Sequence, residues 1–245
     1  MSILLLAGTG EARELALRLT EAGHHVTASL SGATRGPADL GCETRSGGFG
    51  GDDGFCRWLS EHPVDLVVDA THPFAHRISA RTARICAERS IPYLQILREE
   101  WSASNEDRWI FIDYPDEAGK HIRPDETVFL ATGRQTLQDF SGLKNNRLIC
   151  RQIDPPEQPF PFPNGEFLVG RPPFSVEDEM ELFTRLGIDW LVVKNAGGAA
   201  SRSKLDAARK LGLRVLMLNR PAQPDAPKAA TVDEALAWVA SHAAD

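Results

Sequence analysis

The sequence predicts an α/β protein built from two Rossmann-like domains, each with a mostly parallel sheet, and a ligand cleft between the domains. Short apolar runs alternate with amphipathic stretches along the chain, and glycine-rich or polar segments follow several of the apolar runs. Such alternation is typical of doubly wound parallel sheets. The chain has 245 residues, 42% of them hydrophobic, which is enough for two domains. We expect these domains at residues 1–122 and 123–245.

The first half of the chain shows the alternation most regularly. In chain order we expect a strand at 3–7, a helix at 11–21, a strand at 25–30, a helix at 53–60 with Asp52 as its N-cap, a strand at 64–68, a helix at 74–89 and a strand at 91–97. In the helix at 11–21 every third or fourth residue is apolar, and Gly23 follows its end. The strand at 64–68 is apolar except for Asp65, as expected for a strand buried on both faces.

The second half repeats the pattern after an irregular start. We expect strands at 109–113, 127–131, 148–152, 167–169, 191–193 and 214–218, and helices at 116–121, 176–185, 203–211 and 232–242. Ser175 is the expected N-cap of the helix at 176–185, whose first turn is acidic. The proline-rich segment at 155–163 cannot form a helix or a central strand, so we expect a surface loop there.

Charge and composition exclude several functional classes. The formal net charge is −7 and the pI is about 5.5, whereas nucleic-acid-binding proteins are usually basic. No apolar run approaches the ~18 residues that span a bilayer, and the short apolar start indicates a buried strand, not a signal peptide. The four cysteines form no Cys-x-x-Cys pair, so we expect reduced thiols. These observations predict a cytoplasmic protein that binds neither nucleic acid nor membrane.

A glycine-rich segment follows the first strand and opens the first helix. Gly8, Thr9 and Gly10 occupy this turn, and Arg13 lies one turn into the helix. Glycines let a phosphate approach the backbone, and a helix N-terminus offers N–H groups to it. The spacing departs from Gly-x-Gly-x-x-Gly, because Arg13 stands where the third glycine would be. A tight turn without a ligand is the alternative for the loop, and a solvated helix face is the alternative for Arg13.

The loop after the second strand distinguishes between cofactors. NAD sites, like S-adenosylmethionine sites, usually carry an acidic residue here, whereas NADP sites carry small hydroxyl residues and an arginine for the 2′-phosphate. This segment contains Ser31 and Arg35 but no carboxylate before Asp39. Together with the glycine-rich loop, it favours NADPH. An ordinary polar loop is the alternative.

A third polar segment follows the buried strand at 64–68, at the sheet edge where ligands bind. Asp69 and Thr71 offer polar atoms there, and the ring of His72 could serve as an acid, a donor or a partner of a carboxylate. His72 and His76 are four residues apart, but no cysteine or acidic ligand accompanies them, and a zinc site needs three or four ligands. We therefore expect no metal; helix capping and packing are the alternative roles of the two histidines.

Cations follow strands or precede helices in the second half as well. Arg134 follows a strand, Arg171 precedes a helix, and Lys194 ends a strand that leads into Asn195 and Gly198. Three cations at one edge of a sheet in an acidic protein indicate a polyanionic ligand. The alternative is that each cation is a separate surface charge.

Together these segments resemble the precorrin-6A reductase family of cobalamin (corrin) biosynthesis, in both its cobalt-free and cobalt-dependent branches. The resemblance spans nearly the whole chain and rests on Gly8-Thr9-Gly10-Glu11-Ala12-Arg13, Asp69-Ala70-Thr71-His72-Pro73-Phe74-Ala75, Gly133-Arg134, Pro173-Phe174, Val193-Lys194-Asn195-Ala196-Gly197-Gly198 and Lys204-Leu205-Asp206-Ala207-Ala208-Arg209. The second of these motifs is the most specific.

The resemblance implies NADPH-dependent reduction of one double bond in precorrin-6A, or its cobalt form, a tetrapyrrole macrocycle with many carboxylates. The product would be precorrin-6B. Residues 1–122 would bind NADPH, and residues 123–245 would complete the substrate cleft. The expected cofactor-binding residues are Gly8, Thr9, Gly10, Arg13, Ser31, Arg35 and Thr71. The expected substrate-binding residues are Arg77, Arg134, Arg171, Lys194, Asn195 and Gly198, with Arg13 also facing the substrate. Other enzymes of the corrin pathway are candidate protein partners.

The source of the proton is a separate question, because reduction of a carbon–carbon double bond needs a hydride and a proton. Asp69 and His72 are the expected catalytic residues at the cleft edge. An ionised Asp69 cannot donate, and nearby arginines would keep it ionised. We therefore expect water to supply the proton, with His72 as an orienting or electrostatic partner.

Two other functions remain open. A short-chain dehydrogenase would need Tyr-x-x-x-Lys, but Tyr93 and Tyr114 are followed four residues later by Leu97 and Ala118. A non-catalytic sensor that binds NADP or a tetrapyrrole would have the same cleft, although it would give no reason for a distinct NADP loop.

Overall fold

The computed structural model of the protein describes residues 1–32, 36 and 39–243 and confirms an α/β fold. The strands are β1 (Ser2–Leu6), β2 (His25–Leu30), β3 (Glu43–Ser46), β4 (Leu66–Asp69), β5 (Tyr93–Ile96), β6 (Arg108–Ile112), β7 (Thr127–Leu130), β8 (Arg147–Gln152), β9 (Gly165–Val169), β10 (Trp190–Lys194), β11 (Arg214–Leu218) and β12 (Lys228–Ala229). The α-helices are α1 (Gly10–Glu21), α2 (Gly51–Glu61), α3 (His76–Glu88), α4 (Val176–Leu186), α5 (Ser203–Leu211) and α6 (Val232–His242). Within these described ranges, no helix is long and apolar enough to cross a membrane.

The first of two compact units comprises Met1–Glu99 and Pro221–Asp245. Its sheet has the order β12-β5-β4-β1-β2-β3, and all neighbouring strands are parallel. Strand β4 is buried along its whole length, as expected from its apolar residues Leu66, Val67 and Val68. Helix α1 packs its apolar face into the core on one side of this sheet. The strand order reverses between β1 and β4, and ligands bind at the carboxyl ends of strands at such a switch point.

The second unit comprises Glu100–Arg220. Its sheet has the order β6-β11-β10-β7-β8-β9 and is also parallel throughout. Ser175 caps α4 as predicted, because its side chain accepts a hydrogen bond from the N–H of Asp178 at 3.0 Å. The strand order of this sheet reverses between β7 and β10, which places a second switch point at the loops after these two strands.

The two units do not match the predicted division at residues 122 and 123. The chain leaves the first unit after Glu99 and returns to it at Pro221. Strand β6 pairs with β11 in the second sheet, whereas β12 pairs with β5 in the first. Helix α6 packs in the same core as α1, and Arg18 forms an ion pair with Asp233 at 2.6 Å. The last segment of the chain therefore belongs to the first unit, because its strand pairing and its apolar contacts lie there.

The structure differs from the predicted elements at several places. Strand β3 is missing from the predicted elements because its residues are polar and mostly exposed, as suits the edge of a sheet. Asp52 does not cap α2: the N-cap is Gly50, and Asp52 instead forms an ion pair with Arg84 of α3. The short helix predicted at 116–121 is a 3₁₀ helix at Pro115–Lys120, and a further 3₁₀ segment, Arg134–Leu143, was not predicted.

Candidate active site

The glycine-rich turn between β1 and α1 lies at the switch point of the first sheet. Gly8 has a φ of 127°, a conformation that L-residues rarely adopt. Thr9 is the N-cap of α1: its Oγ1 accepts from the N–H of Ala12 at 3.1 Å and donates to the carbonyl of Ala70 at 2.7 Å. A Cβ atom built on Gly8 or Gly10 meets nothing within 4 Å. The turn is therefore held by Thr9, and open space lies beside both glycines, at the N-terminus of a helix.

A small pocket adjoins this turn and continues to the ends of β4 and β5. Its lining residues are Thr9, Glu11, Ala70, Thr71, Pro73, Ile96 and Arg98. Nη1 of Arg98 lies 2.7 Å from both carboxylate oxygens of Glu11. Burial raises the pKa of Glu11, but the hydrogen bond and the positive charge of Arg98 outweigh this effect. The pKa of Glu11 is therefore below its ordinary value, and the pair is ionic. Sequence reasoning missed this pair, although Glu11 stands inside the glycine-rich motif.

Asp69 ends β4 and is only 1% exposed. Its Oδ1 accepts from the backbone N–H of Thr71 at 3.0 Å and from the hydroxyl of Thr71 at 2.7 Å. Its Oδ2 accepts from the hydroxyl of Tyr93 at 2.8 Å. Burial and the nearby Asp69 raise the pKa of Tyr93, so this hydroxyl stays protonated and donates. Asp69 therefore fixes the start of the following loop, because the hydroxyl of Thr71 donates its hydrogen bond to Asp69.

His72 is exposed in the loop between β4 and α3. Its Nδ1 accepts from the backbone N–H of Phe74 at 3.2 Å. In the neutral ring this bond places the proton on Nε2, which makes Nε2 a donor. His76 begins α3, and its Nδ1 lies 3.4 Å from the carbonyl of Phe74. Across the described ranges, no three His, Cys, Asp or Glu side chains are grouped so that they could hold a metal ion.

Two glutamines, which the sequence did not indicate, hold the loop between β4 and α3 through hydrogen bonds. The side-chain amide of Gln95 donates to the Oε1 of Gln223 at 2.8 Å. The Nε2 of Gln223 lies 3.0 Å from the carbonyl of Pro73 and 2.7 Å from that of Pro221. The segment that returns to the first unit therefore fixes the backbone next to His72. No local pattern signals this role, because the three segments are distant in sequence.

The remaining predicted residues of the first unit lie around the same edge or on its helices. Ser31 directly follows β2 and is exposed. Arg35, predicted to bind a 2′-phosphate, lies outside the residues that the structure describes. Arg13 is exposed on α1, and Arg77 is exposed in the first turn of α3.

The switch point of the second sheet brings Lys194 next to the loop that carries Arg134. The Nζ of Lys194 donates to the carbonyl of Thr132 at 2.9 Å, and burial lowers the pKa of this lysine. Gly133 has a φ of 77°, and Arg134 opens the 3₁₀ segment after it as an exposed side chain. Arg171 follows β9, where its Nη2 lies 3.5 Å from Asp154. The structure therefore joins two of the three predicted cations in one place and puts Arg171 after the edge strand.

Asn195 differs from its predicted role as a substrate ligand. Its side chain is fully buried. Its Oδ1 accepts from the N–H of Trp101 at 2.8 Å, and its Nδ2 donates to the carbonyl of Trp101 at 3.0 Å. The carbonyl of Gly198 accepts from the indole N–H of Trp101 at 2.7 Å. Because both polar ends of Asn195 are bonded to backbone, its side chain holds the segment at Trp101 and does not face a ligand.

Two features define the class of this protein. Each unit has a parallel sheet of Rossmann type with polar loops at its switch point, and the first unit also has an open glycine turn at a helix N-terminus. It is a Rossmann-like α/β protein whose first unit has a glycine turn where the phosphate-binding loop of Rossmann folds lies.

The chain belongs to a family described as Precorrin-6x reductase CbiJ/CobK, whose model matches residues 2–240. The Precorrin-6A reductase of Rhodobacter capsulatus is 39% identical over 245 residues, covering 99% of this chain and 97% of the relative. The Precorrin-6A reductase of Rhodococcus erythropolis is 43% identical over 244 residues, covering 97% and 96%. A solved structure described as CobK precorrin-6A reductase has a TM-score of 0.94 and 38% identity, covering 99% of this chain and 97% of that one.

These comparisons confirm the family, the α/β fold with Rossmann-like units and the assignment as an enzyme that the sequence predicts. The chain is an oxidoreductase, a reductase of cobalamin biosynthesis.

Proposed function

We propose that this enzyme reduces one double bond of the precorrin-6A macrocycle with NADPH and releases precorrin-6B. The observation that carries the proposal is the open turn at Gly8 and Gly10 before α1, in a chain that matches precorrin-6A reductases over nearly its whole length. When bound, NADPH supplies the hydride. Both relatives described above are named Precorrin-6A reductase, without the word cobalt. We therefore propose the metal-free macrocycle as the substrate.

The first unit supplies the cofactor site in this proposal. The cradle at Gly8 and Gly10 fits a pyrophosphate, because a Cβ at either position would fill the space that a phosphate needs. Thr9 fixes this cradle through its bonds to Ala12 and Ala70. Ser31 follows the neighbouring strand and would contact the ribose side, together with Arg35. Thr71 would line the pocket through its backbone, since Asp69 holds its hydroxyl.

We propose that cations at the ends of strands and helices bind the carboxylates of the substrate. The residues proposed for this task are Arg13, Arg77, Arg134, Arg171 and Lys194, and Gly198 would add backbone close to Lys194. Arg134 and Lys194 are the best supported of them, because Thr132 joins their loops at one switch point. Several cations at the ends of strands suit a ligand with many negative charges. Asn195 would position this loop without touching the substrate.

Asp69 and His72 would serve the reaction in different ways. Asp69 is buried and accepts three hydrogen bonds, so we propose that it positions the loop and transfers no proton. His72 is exposed and bonded through Nδ1, so its Nε2–H would orient a substrate carboxylate or a water molecule. Water would supply the proton to the carbon next to the one that accepts hydride. The four cysteines are free thiols, which fits the cytoplasmic location that we propose.

The direct test combines purified protein, precorrin-6A and NADPH, and follows NADPH absorbance together with the mass of the product. We expect stoichiometric NADPH oxidation, a product heavier by two hydrogen atoms, and much slower turnover with NADH. Tight binding of NADPH and precorrin-6A without turnover would instead support a sensor. Oxidation that proceeds equally well with NADH would contradict the choice of cofactor.

We expect His72→Ala to lower kcat by less than about a hundredfold at saturating substrate, because general acid catalysis typically contributes 10²–10⁴-fold and we assign the proton to water. The measurement is the pH profile of kcat for the variant and for wild-type enzyme. His76→Ala is the matched control, since His76 is also bonded to the backbone of Phe74. A larger loss, with NADPH binding intact and the limb near neutral pH missing, would show that His72 is the acid.

A further inference from the structure

Arg45 lies at the carboxyl end of β3, directly beside the end of β2. The two strands are parallel, with Ser29 opposite Arg45 and Leu30 opposite Ser46. Nη1 of Arg45 donates to the hydroxyl of Ser29 at 2.7 Å. Ser31 follows β2 directly, two residues after Ser29. Arg45 therefore lies at the sheet edge where Ser31 is proposed to contact the cofactor.

The guanidinium of Arg45 is held in a fixed orientation. Nη1 also donates to the carbonyl of Gly47 at 3.1 Å, and Nη2 donates to that of Gly48 at 3.3 Å. The ring of Phe49 covers one face of the guanidinium, 3.9 Å from Cζ. Such packing lowers the entropy that the side chain would lose when a ligand binds.

Within the part of the chain that the structure describes, no carboxylate forms an ion pair with Arg45. Burial lowers the pKa of Arg45 and no anion opposes the effect, although the group stays protonated at any physiological pH. A guanidinium has five N–H donors, and three are used by Ser29, Gly47 and Gly48. The other two, on Nε and Nη2, form the fork that binds a phosphate with two parallel hydrogen bonds.

The three loops at this edge follow the course of a dinucleotide. The glycine turn comes after β1, Ser31 comes after β2, and Arg45 comes at the end of β3, in the order of these strands in the sheet. A Cβ on Gly32 would lie 3.3 Å from the hydroxyl of Ser46, so the loop after β2 runs against the turn after β3. With the pyrophosphate at Gly8 and Gly10, the adenosine extends across β2 towards β3.

We propose that Arg45 binds the 2′-phosphate on the adenosine of NADPH and thereby sets the preference of the enzyme for NADPH over NADH. This inference rests on the proposed function, because it takes the pyrophosphate to lie at the glycine turn. It adds a specificity residue from β3 to Ser31 and Arg35, the residues expected from the sequence.

The test is calorimetric titration of the whole chain with adenosine 2′,5′-bisphosphate and, separately, with ADP, which lacks the 2′-phosphate. Arg45→Met removes the charge but keeps an apolar stem on Phe49, and Arg45→Lys keeps the charge but removes the fork. Arg81→Met is the matched control: Arg81 also faces the ring of Phe49, at 5.8 Å, but it is on α3 and donates to the carbonyl of Gly51. Melting temperatures of the unliganded variants verify that they fold.

For Arg45→Met we expect the Kd for the bisphosphate to rise about tenfold to a hundredfold, and the Kd for ADP to change by less than about threefold. Arg45→Lys is expected to fall between wild type and Arg45→Met, and Arg81→Met to match wild type. Equal losses for both ligands, or an unchanged preference for the bisphosphate, would overturn the role of Arg45 alone. Wild-type protein that does not prefer the bisphosphate would instead contradict the use of NADPH in the proposed function.

Discussion

Gly10→Val is expected to raise the Kd for NADPH by more than about a hundredfold. Gly10 is the first residue of α1, where a ligand phosphate would contact the backbone N–H groups. The valine side chain would occupy the open space beside the turn, and hydrogen bonds to a charged group contribute about 1.5–3 kcal/mol each. Loss of two such bonds gives an effect of this size, since ~1.4 kcal/mol corresponds to a factor of ten.

The fold itself is expected to tolerate this change. The Cβ meets no atom within 4 Å, and Gly10, unlike Gly8, has no left-handed backbone conformation. Binding can be measured by the rise in melting temperature with NADPH. Gly142→Val is the matched control, because Gly142 has equally open surroundings in the second unit and should leave NADPH binding unchanged. If a folded Gly10→Val protein binds NADPH with normal affinity, the loop is a turn that does not contact the cofactor.

Glu179→Leu is expected to lower the free energy of unfolding by about 3–5 kcal/mol, because it leaves a buried arginine without its partner. Glu179 of α4 and Arg151 of β8 are 1% and 9% exposed. Their two hydrogen bonds measure 2.8 and 2.7 Å. The rings of Phe129 and Phe174 cover the guanidinium, at 5.1 and 4.3 Å from Cζ. Few water molecules could therefore replace the lost carboxylate.

A double substitution separates the cost of an orphaned charge from the value of the pair. Burial lowers the pKa of Lys204 to about 8, with help from Arg151, while Glu179 opposes the shift; the variant would thus leave two cations together. Arg151→Met combined with Glu179→Leu removes the orphaned arginine and should recover most of the stability in urea denaturation. A double variant as unstable as Glu179→Leu would show that the pair itself, not the unpaired arginine, carries the effect.

The fold could be predicted from the sequence wherever strands are buried, because buried strands contain unbroken runs of apolar residues. β1, β4, β7 and β10 are of this kind, and the polar loops after them were recognised as ligand loops. β3 was not predicted, because an edge strand with polar side chains has no apolar pattern. The role of Arg45 was not predicted for the same reason. The ion pair of Glu11 with Arg98 and the bonds of Gln223 depend on distant segments, so no local pattern could show them.

Asn195 shows that a sequence pattern can place a residue correctly and still predict the wrong contacts for its side chain. A polar residue after a strand at the carboxyl edge is expected to face a ligand, but here the neighbouring Trp101 takes both of its polar ends. Burial decides between the two roles, and burial is a property of the folded chain. The same holds for Asp69, whose position at the end of β4 was predicted and whose three donors were not.

The division of the first unit into two stretches of chain has a consequence for biosynthesis on the ribosome. The second unit is continuous from Glu100 to Arg220, so it can fold once that stretch has emerged. The first unit waits for β12 and α6, which are translated after the second unit, and until then Ile96 of β5 and Leu15 of α1 lack part of their apolar cover. At about 5–20 residues per second, the nascent first unit stays unfinished for roughly 6–24 seconds while the second is made. The part of the enzyme that begins first is thus completed last.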